Sequence, residues 1–316
     1  MVNNYLLLYK IAHAYYVDDL TQEQISKRLG ISRPRISRLL EQARREKIVN
    51  ITLNSPSGDA ADNEHKIEQK YGLEEVVIVS VSDPQDPASV ARDLGPAAAK
   101  CLVRRICGNE IVGVTWGTTI MALVDAMPSV VRPEVTIVQI NGGLGSVEKP
   151  EHSTELVRRL SLKFGARFKL LPAPGIVSNR QTADALKSDK QISCTLKLAA
   201  KSDIAIVGMG VLASDSVLIR DGTILTRRDS RMLKKAGAVG NIALRYIDKT
   251  GILLDMEINE RIIGLTLEQI KHIPRVIAIA GGEKKYGVIC AALKGKIPDI
   301  LVTDHITAKK LLEEKG

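Results

Sequence analysis

With 316 residues, 45% of them hydrophobic, the chain is long enough for about two domains and can bury a sizeable core. No apolar run approaches the roughly 18 residues of a membrane span. The opening MVNNYLLLYK lacks the basic flank and small-residue cleavage site of a secretory signal. Both observations argue against a membrane span and a secretory signal, and a cytoplasmic protein is expected. The net charge of +9 is unevenly spread: residues 1–54 hold nine Lys/Arg against five Asp/Glu, and the remainder holds 36 against 31. The excess lies at the N-terminus, where a polyanion would be met. Cys101, Cys107, Cys194 and Cys290 form no CxxC pair and have no His at metal spacing. Buried, reduced thiols and no metal are expected.

In chain order, Leu8, Ile11, Ala12 and Tyr15 are spaced i, i+3, i+4, i+7 and predict a first helix. Thr21 followed by Gln24 is a capping-box pattern opening a second helix, with Ile25 and Leu29 inward and Gly30 past its end. Ser32 is placed to cap a third helix, with Pro34 in the first turn, where a missing amide hydrogen costs little. Ile36, Leu39, Leu40 and Ala43 form its inner face. Two helices around a tight glycine turn form a helix-turn-helix, whose second helix enters the major groove of double-stranded DNA. The outward residues Ser32, Arg33, Pro34, Arg35, Ser37 and Arg38 are the DNA-reading candidates, since arginine's planar fork matches guanine O6/N7 or phosphate. Arg44, Arg45 and Lys47, at the far end, suit phosphate contact. A merely solvated basic face is the competing reading. The turn, both caps and five arginines within residues 33–45 coincide in favour of DNA.

Ile48–Leu53 is β-prone and reads as one strand of a wing, and the loop-like Asn54–Ala60 places a domain boundary near residue 55. The expected domains are thus 1–54, a helix-turn-helix, and 55–316, an α/β effector and oligomerisation domain. Beyond the boundary, β-branched runs at Val76–Val81, Ile111–Thr115, Val135–Ile140, Ile204–Val207, Ile242–Ile247, Val276–Ala280 and Ile300–Thr303 predict strands. Amphipathic segments such as Glu151–Phe164 and Ile192–Lys201 lie between them, which predicts a mainly parallel sheet covered by helices.

Several of these runs end in small residues. Gly117-Thr118-Thr119 precedes the helical pattern Ile120–Ala126. Such a turn offers free amides, the positive end of a helix and two hydroxyls to a phosphate, although it also serves as a plain cap. Asn141-Gly142-Gly143, Gly208-Met209-Gly210 and Gly281-Gly282-Glu283-Lys284-Lys285 follow other strands. Ligands collect at the carboxyl ends of strands in open α/β sheets, so these turns are expected to converge, with Lys285 supplying charge. Gly208 to Ala213 formally fits GxGxxA, but loop-like residues follow where a dinucleotide site needs a helix. None of His13, His65, His152, His272 and His305 sits in a catalytic or metal motif. Asp304-His305 reads as a surface helix cap before an acid/base pair, and Lys149 as solvated.

These motifs together resemble the SorC family of sugar-responsive bacterial transcription regulators, over nearly the whole chain. The likeness rests on Tyr16–Val49, Val114-Thr-Trp-Gly-Thr-Thr119, Gly237-Ala-Val-Gly240, Ala280-Gly-Gly-Glu-Lys-Lys285 and Leu301-Val-Thr-Asp304. The resemblance implies an effector domain of the sugar-phosphate isomerase/CoA-transferase type, binding a phosphorylated sugar that alters DNA affinity, and a homo-oligomer, usually a tetramer. It makes Gly117, Thr118, Thr119 and Lys285 phosphate-side candidates and lines the pocket with Asn141, Gly142 and Gly143. The family often has Asp after Gly-Ala-Val-Gly, whereas Asn241 stands here; an amide both donates and accepts, so the hydroxyls read are put in doubt. The expected function is a transcription regulator, with repression favoured, requiring no cofactor and catalysing nothing. The rival is a sugar-phosphate isomerase-like enzyme carrying a DNA-binding domain, which needs a carboxylate base that no motif supplies.

Overall fold

A computed structural model of the chain describes residues 2–50, 59–143, 153–212 and 225–314. Contacts divide the chain into two units, Met1–Pro56 and Ser57–Gly316. In the first, helices α1 (Val2–Tyr16), α2 (Gln22–Leu29) and α3 (Arg33–Arg45) surround Leu8, Ile11, Ala12, Ile25, Ile36, Leu39, Leu40 and Ala43. Each buried Leu or Ile contributes about 1.5–3 kcal/mol, which holds so small a unit together. The capping box opens α2: the Gln24 amide donates to Thr21 Oγ1 at 3.3 Å, and the Thr21 amide donates to Gln24 Oε1 at 2.8 Å. Gly30 closes α2 at φ +66°, a left-handed conformation that a side chain would strain. Lys47, at φ +57°, turns the chain out of α3, and the Ile48 amide donates back to the Ala43 carbonyl at 2.9 Å. Ile48–Asn50 therefore forms no strand: Ile48 and Val49 pack onto the helical core instead. The rest of the expected wing lies outside the described residues.

In the second unit, strands β1 (Glu75–Val79), β2 (Ile111–Val114), β3 (Thr136–Gln139), β4 (Arg167–Lys169), β5 (Ile204–Gly210), β8 (Arg275–Ile279) and β9 (Ile300–Asp304) lie in the order β1-β9-β8-β5-β2-β3-β4, all parallel. Alternate residues of a strand enter opposite cores: Ile204 and Ile206 join Val112, Ile277 and Val302 on one face, and Ala205 and Val207 join Val138, Ala278 and Leu301 on the other. Burial on both faces is why these strands read as continuous apolar runs. The run Ile242–Ile247, expected as one strand, is two: β6 (Gly240–Ile242) and β7 (Arg245–Ile247) form an antiparallel hairpin, and β6 also pairs with β5. Its turn is made by Ala243 and Leu244 at φ +49° and +71°, without the Gly or Asn that marks such turns. β4 is an additional edge strand, three exposed residues long.

The strand order turns back between β2 and β5: β3 follows β2 on one side, and β8 lies on the other side of β5. At such a switch the loops leaving the carboxyl ends part and open a crevice. Gly117 leads there into the helix Thr118–Ala126, and Gly282 into the turn Glu283–Lys285 and the helix Tyr286–Lys294.

Candidate nucleic-acid interface and ligand cavity

The six DNA-reading candidates occupy the start of α3. Ser32, Arg33, Pro34, Arg35, Ser37 and Arg38 are all exposed, while Ile36, Leu39 and Leu40 between them are buried. Arg38 Nε lies 3.4 Å from the Pro34 carbonyl. Ser32 holds the N-cap position, yet its hydroxyl makes no capping bond. The expected cap is thus made by backbone alone, with the Arg35 and Ile36 amides donating to the Ser32 carbonyl at 2.9 and 3.0 Å. The Ser32 hydroxyl, free of any capping bond, adds a donor beside the arginines. Such a surface suits a phosphate backbone flanked by base edges.

In the second unit a cavity of about 470 Å³ opens at the carboxyl ends of β2, β3, β5 and β8. It brings together Gly117, Thr118, Thr119, Asn141, Asn241 and Lys285, six of the eight effector-binding candidates, from four separate stretches of chain. Lys285 reaches across from the β8 loop, with Nζ 3.4 Å from Thr119 Oγ1 at the first turn of the helix Thr118–Ala126. Burial pushes its ammonium down to about 8, because desolvation penalises the charged form. A bound anion at this place would relieve that penalty. The helix N-terminus, the two threonine hydroxyls and the lysine thus gather donors and positive charge at one end of the cavity.

Gly142 and Gly143 do not line the cavity. Their amides donate to the Ile263 and Ala173 carbonyls at 2.9 and 3.0 Å, and a Cβ on Gly142 would lie 2.5 Å from the Pro174 carbonyl oxygen. These glycines permit close backbone packing behind the wall, where the Gly142 carbonyl accepts from Trp116 Nε1 at 3.2 Å. Gly208–Gly210 lies inside β5, not in a turn after it, and lines the floor. Lys149 and His152 lie outside the described residues.

Asp304, expected at the surface, is fully buried. It caps the helix His305–Glu313, with Oδ1 accepting from the Ile306 and Thr307 amides at 2.9 Å each. Its Oδ2 accepts from the Gly282 amide and Thr307 Oγ1, both at 2.6 Å. The carboxylate thus fixes the loop that carries Lys285. Pro84–Ala88 forms a further part of the wall. None of the sequence motifs above includes it; its one local signal is Asp86 before Pro87, where Asp86 caps the helix Pro87–Val103. Cys101 and Cys290 are buried as expected, whereas Cys107 and Cys194 are exposed; all four are free. Among the described residues no three His, Cys, Asp or Glu side chains gather to hold a metal, and no helix is long and apolar enough to cross a membrane.

A helix-turn-helix with an arginine-bearing second helix, on the same chain as a parallel α/β unit with a donor-lined cavity, defines a ligand-responsive DNA-binding regulator. Comparison with known proteins gives the family. The family model described as "Putative sugar-binding domain" matches residues 55–313, and that of sigma-70 region 4 matches residues 10–46. The chain is 31% identical to the deoxyribonucleoside regulator of Bacillus subtilis over 303 residues, 96% of either chain. It is 30% identical to the sorbitol operon regulator of Klebsiella pneumoniae over 313 residues, 97% of this chain and 98% of the relative. The crystal structure of the full-length sorbitol operon regulator SorC from Klebsiella pneumoniae superposes with a TM-score of 0.74 at 29% identity, covering 98% of this chain and 99% of that one. The chain belongs to the SorC family of sugar-binding transcription regulators. It is a DNA-binding regulator with a sugar-binding effector domain.

Proposed function

We propose that the chain is a cytoplasmic transcription repressor whose DNA affinity is switched by a phosphorylated sugar held in the β2/β5 cavity. The observation that carries the effector half is Lys285 Nζ beside Thr119 Oγ1 at a helix N-terminus, a grouping whose charge and donors await an anion. Gly117, Thr118, Thr119 and Lys285 hold the phosphate, and Asn141 and Asn241 face the sugar. Arg33, Arg35 and Arg38 read base edges, with Ser32 and Ser37 on the phosphate backbone. The protein acts as a homo-oligomer, a tetramer by family resemblance, since paired reading helices match paired half-sites. The sugar shifts DNA affinity only as far as it binds one arrangement of the subunits more tightly than the other.

The isomerase reading requires a free carboxylate over the sugar. Of the two acidic side chains that line the cavity among the described residues, Asp86 accepts from the Ala88 and Ser89 amides, and Glu283 accepts from Lys310 at 2.6 Å and Gln85 at 3.1 Å. Both are engaged, which supports binding without turnover.

A panel of phosphorylated sugars tests the effector half by thermal shift and by operator retention in a gel. One member is expected to raise the melting temperature and release operator. No response in either assay would end this reading. For the reading helix, Arg35→Ala is expected to weaken operator binding by about 1–3 kcal/mol and random-duplex binding by less. Equal losses would make Arg35 a phosphate contact.

A further inference from the structure

Two segments of the second unit meet on one short helix. The loop 281–285 carries Lys285 into the cavity wall, and α4 (Asp59–Tyr71) is the first described helix that the chain enters after the helix-turn-helix unit. The helix His305–Glu313 is bonded to both. At its start, Asp304 caps it and accepts from the Gly282 amide at 2.6 Å. At its end, Tyr286, the residue after Lys285, places its hydroxyl 3.3 Å from the Lys310 carbonyl and 2.6 Å from Glu314 Oε2. The same last turn is gripped by α4. Lys70 Nζ donates to the Leu311 carbonyl at 2.8 Å, to that of Leu312 at 3.2 Å and to that of Glu314, and the Tyr71 hydroxyl donates to Leu311 at 3.2 Å. An ammonium on the open carbonyls of a helix end is favoured by hydrogen bonding and by the negative end of the helix dipole. Lys70 lies at the opposite end of α4 from Asp59, where the chain arrives from the first unit. Between those ends, Glu64 and Glu68 tie α4 to the edge strand β1, accepting from the Ile78 and Val76 amides at 2.8 and 2.9 Å.

We propose that Lys70 and Tyr286 are positioning residues of the regulatory switch, joining the Lys285 loop to α4 through the last turn of the helix His305–Glu313. A helix held at both ends shifts as one body, because packed elements move as units and do not deform continuously. Displacement of Gly282 or Tyr286 by a ligand then reaches the carbonyls that Lys70 holds. Glu64 and Glu68 act as the fulcrum, so a push at the Lys70 end tilts the Asp59 end, from which the chain runs back to the reading helices. The ligand biases this switch only as far as the bonds on the last turn differ between the two states.

The inference rests on the cavity being the effector site, and the test separates the two. Full-length wild type, Lys70→Met, Lys70→Arg and Tyr286→Phe are compared by hydrogen exchange and by operator retention in a gel. Each is measured with and without a saturating amount of the sugar monophosphate that most raises the wild-type melting temperature. In the wild type the ligand is expected to change exchange about threefold or more in both 59–71 and 305–313, and to weaken operator binding about tenfold, within the usual range of allosteric coupling. Lys70→Met is expected to bind the ligand within about twofold of wild type, yet to lose the ligand's effect on 59–71 and on operator binding while keeping its effect on 305–313. Tyr286→Phe is expected to lose the same two effects. Lys70→Arg, whose guanidinium still donates to carbonyls, is expected to restore them. A merely structural Lys70 would speed exchange of α4 equally with and without ligand and leave operator release intact; that result overturns the inference and leaves the effector site standing. So does a wild-type chain that binds the ligand with no change in 59–71, or a Lys70→Met chain that loses ligand binding itself. If no sugar phosphate alters the wild-type chain in any measurement, the effector site and this inference fall together.

Discussion

Arg33, Arg35 and Arg38 stand in solvent on a helix whose other face is buried, whereas Thr119, Asn141 and Asn241 are themselves at most 5% exposed in the wall of a cavity. The reading helix keeps its function outside its core. Its charges remain hydrated until DNA arrives, so they act at long range at little cost to the fold. The cavity does the reverse. It holds a desolvated ammonium and, among the described residues, two buried amide atoms without a partner, Asn141 Oδ1 and Asn241 Nδ2, each costing about 1–3 kcal/mol until a ligand completes it. Binding at the helix adds contacts to a finished surface; binding in the cavity finishes an incomplete interior.

The most damaging way to probe that contrast is to break the core beneath the reading helix. Ile36 is fully buried between two exposed arginines, in a core of only three helices. Ile36→Ala is expected to cost about 2–5 kcal/mol, to melt these helices in circular dichroism and to abolish DNA retention. The thermal response to effector should survive, because the described residues that line the cavity belong to the second unit. Loss of that response as well would show that the two regions do not act independently.

Next in size is Asp304→Asn. Oδ2 of Asp304 accepts from two donors, and an amide nitrogen there would turn a donor toward the Gly282 amide. Losing charge-assisted bonds of this kind costs about 2–3 kcal/mol. Because Gly282 begins the loop that carries Lys285, effector affinity is expected to fall at least tenfold in the molecules that remain folded. Isothermal titration below the melting temperature measures it, and an unchanged affinity would make Asp304 a helix cap only.

How much of this could be read beforehand depended on the range of the interactions. The helix-turn-helix was legible because Thr21, Gln24, Gly30 and the apolar spacing of α3 act within a few residues of one another. The parallel strands were legible because burial on both faces forces an apolar run. The β6–β7 hairpin was not, since Ala243 and Leu244 take positive φ under the constraint of their surroundings and against their own preference. β4 has no apolar run to betray it, and it pairs only at the sheet edge. In the site, the glycine turns and Lys285 were visible as types, but not which of them face inward. Gly142 looks the same in sequence whether it lines a cavity or, as here, fits against Pro174. The burial of Asp304 is set by a partner 22 positions away, beyond the reach of any local pattern.

Lys285 gives a smaller effect with a definite sign. Its ammonium is held at about 8 by desolvation, and a bound phosphate favours the charged form and raises that value. Below pH 8 the ammonium is charged whether or not ligand is bound, so affinity is flat with respect to this group. Above pH 8 the empty protein loses the proton that the complex keeps. Affinity should then fall up to about tenfold per pH unit, until the value in the complex is passed. A sugar phosphate is already a dianion above pH 7, so the slope belongs to the protein. Calorimetric titration from pH 7 to 9.5 measures it, and Lys285→Met should remove the slope; a slope persisting in that variant would place the titrating group elsewhere.

The smallest effect tests the contrast most directly, because it asks where stability is given up. If the orphaned amides are retained for the ligand, replacing one by an apolar side chain of similar volume should stabilise the empty protein. Asn141→Leu removes a buried acceptor that has no partner among the described residues, and about 1 kcal/mol of stabilisation is expected, or roughly 2–4 °C in melting temperature. Arg35→Ala, on the exposed face of α3, should stay within about 0.5 kcal/mol of wild type. A stabilised, effector-blind Asn141→Leu beside an unshifted Arg35→Ala would place the cost of function in the cavity and not on the helix. Destabilisation by Asn141→Leu would mean that the amide is held for the fold, and the two regions would then differ in exposure alone.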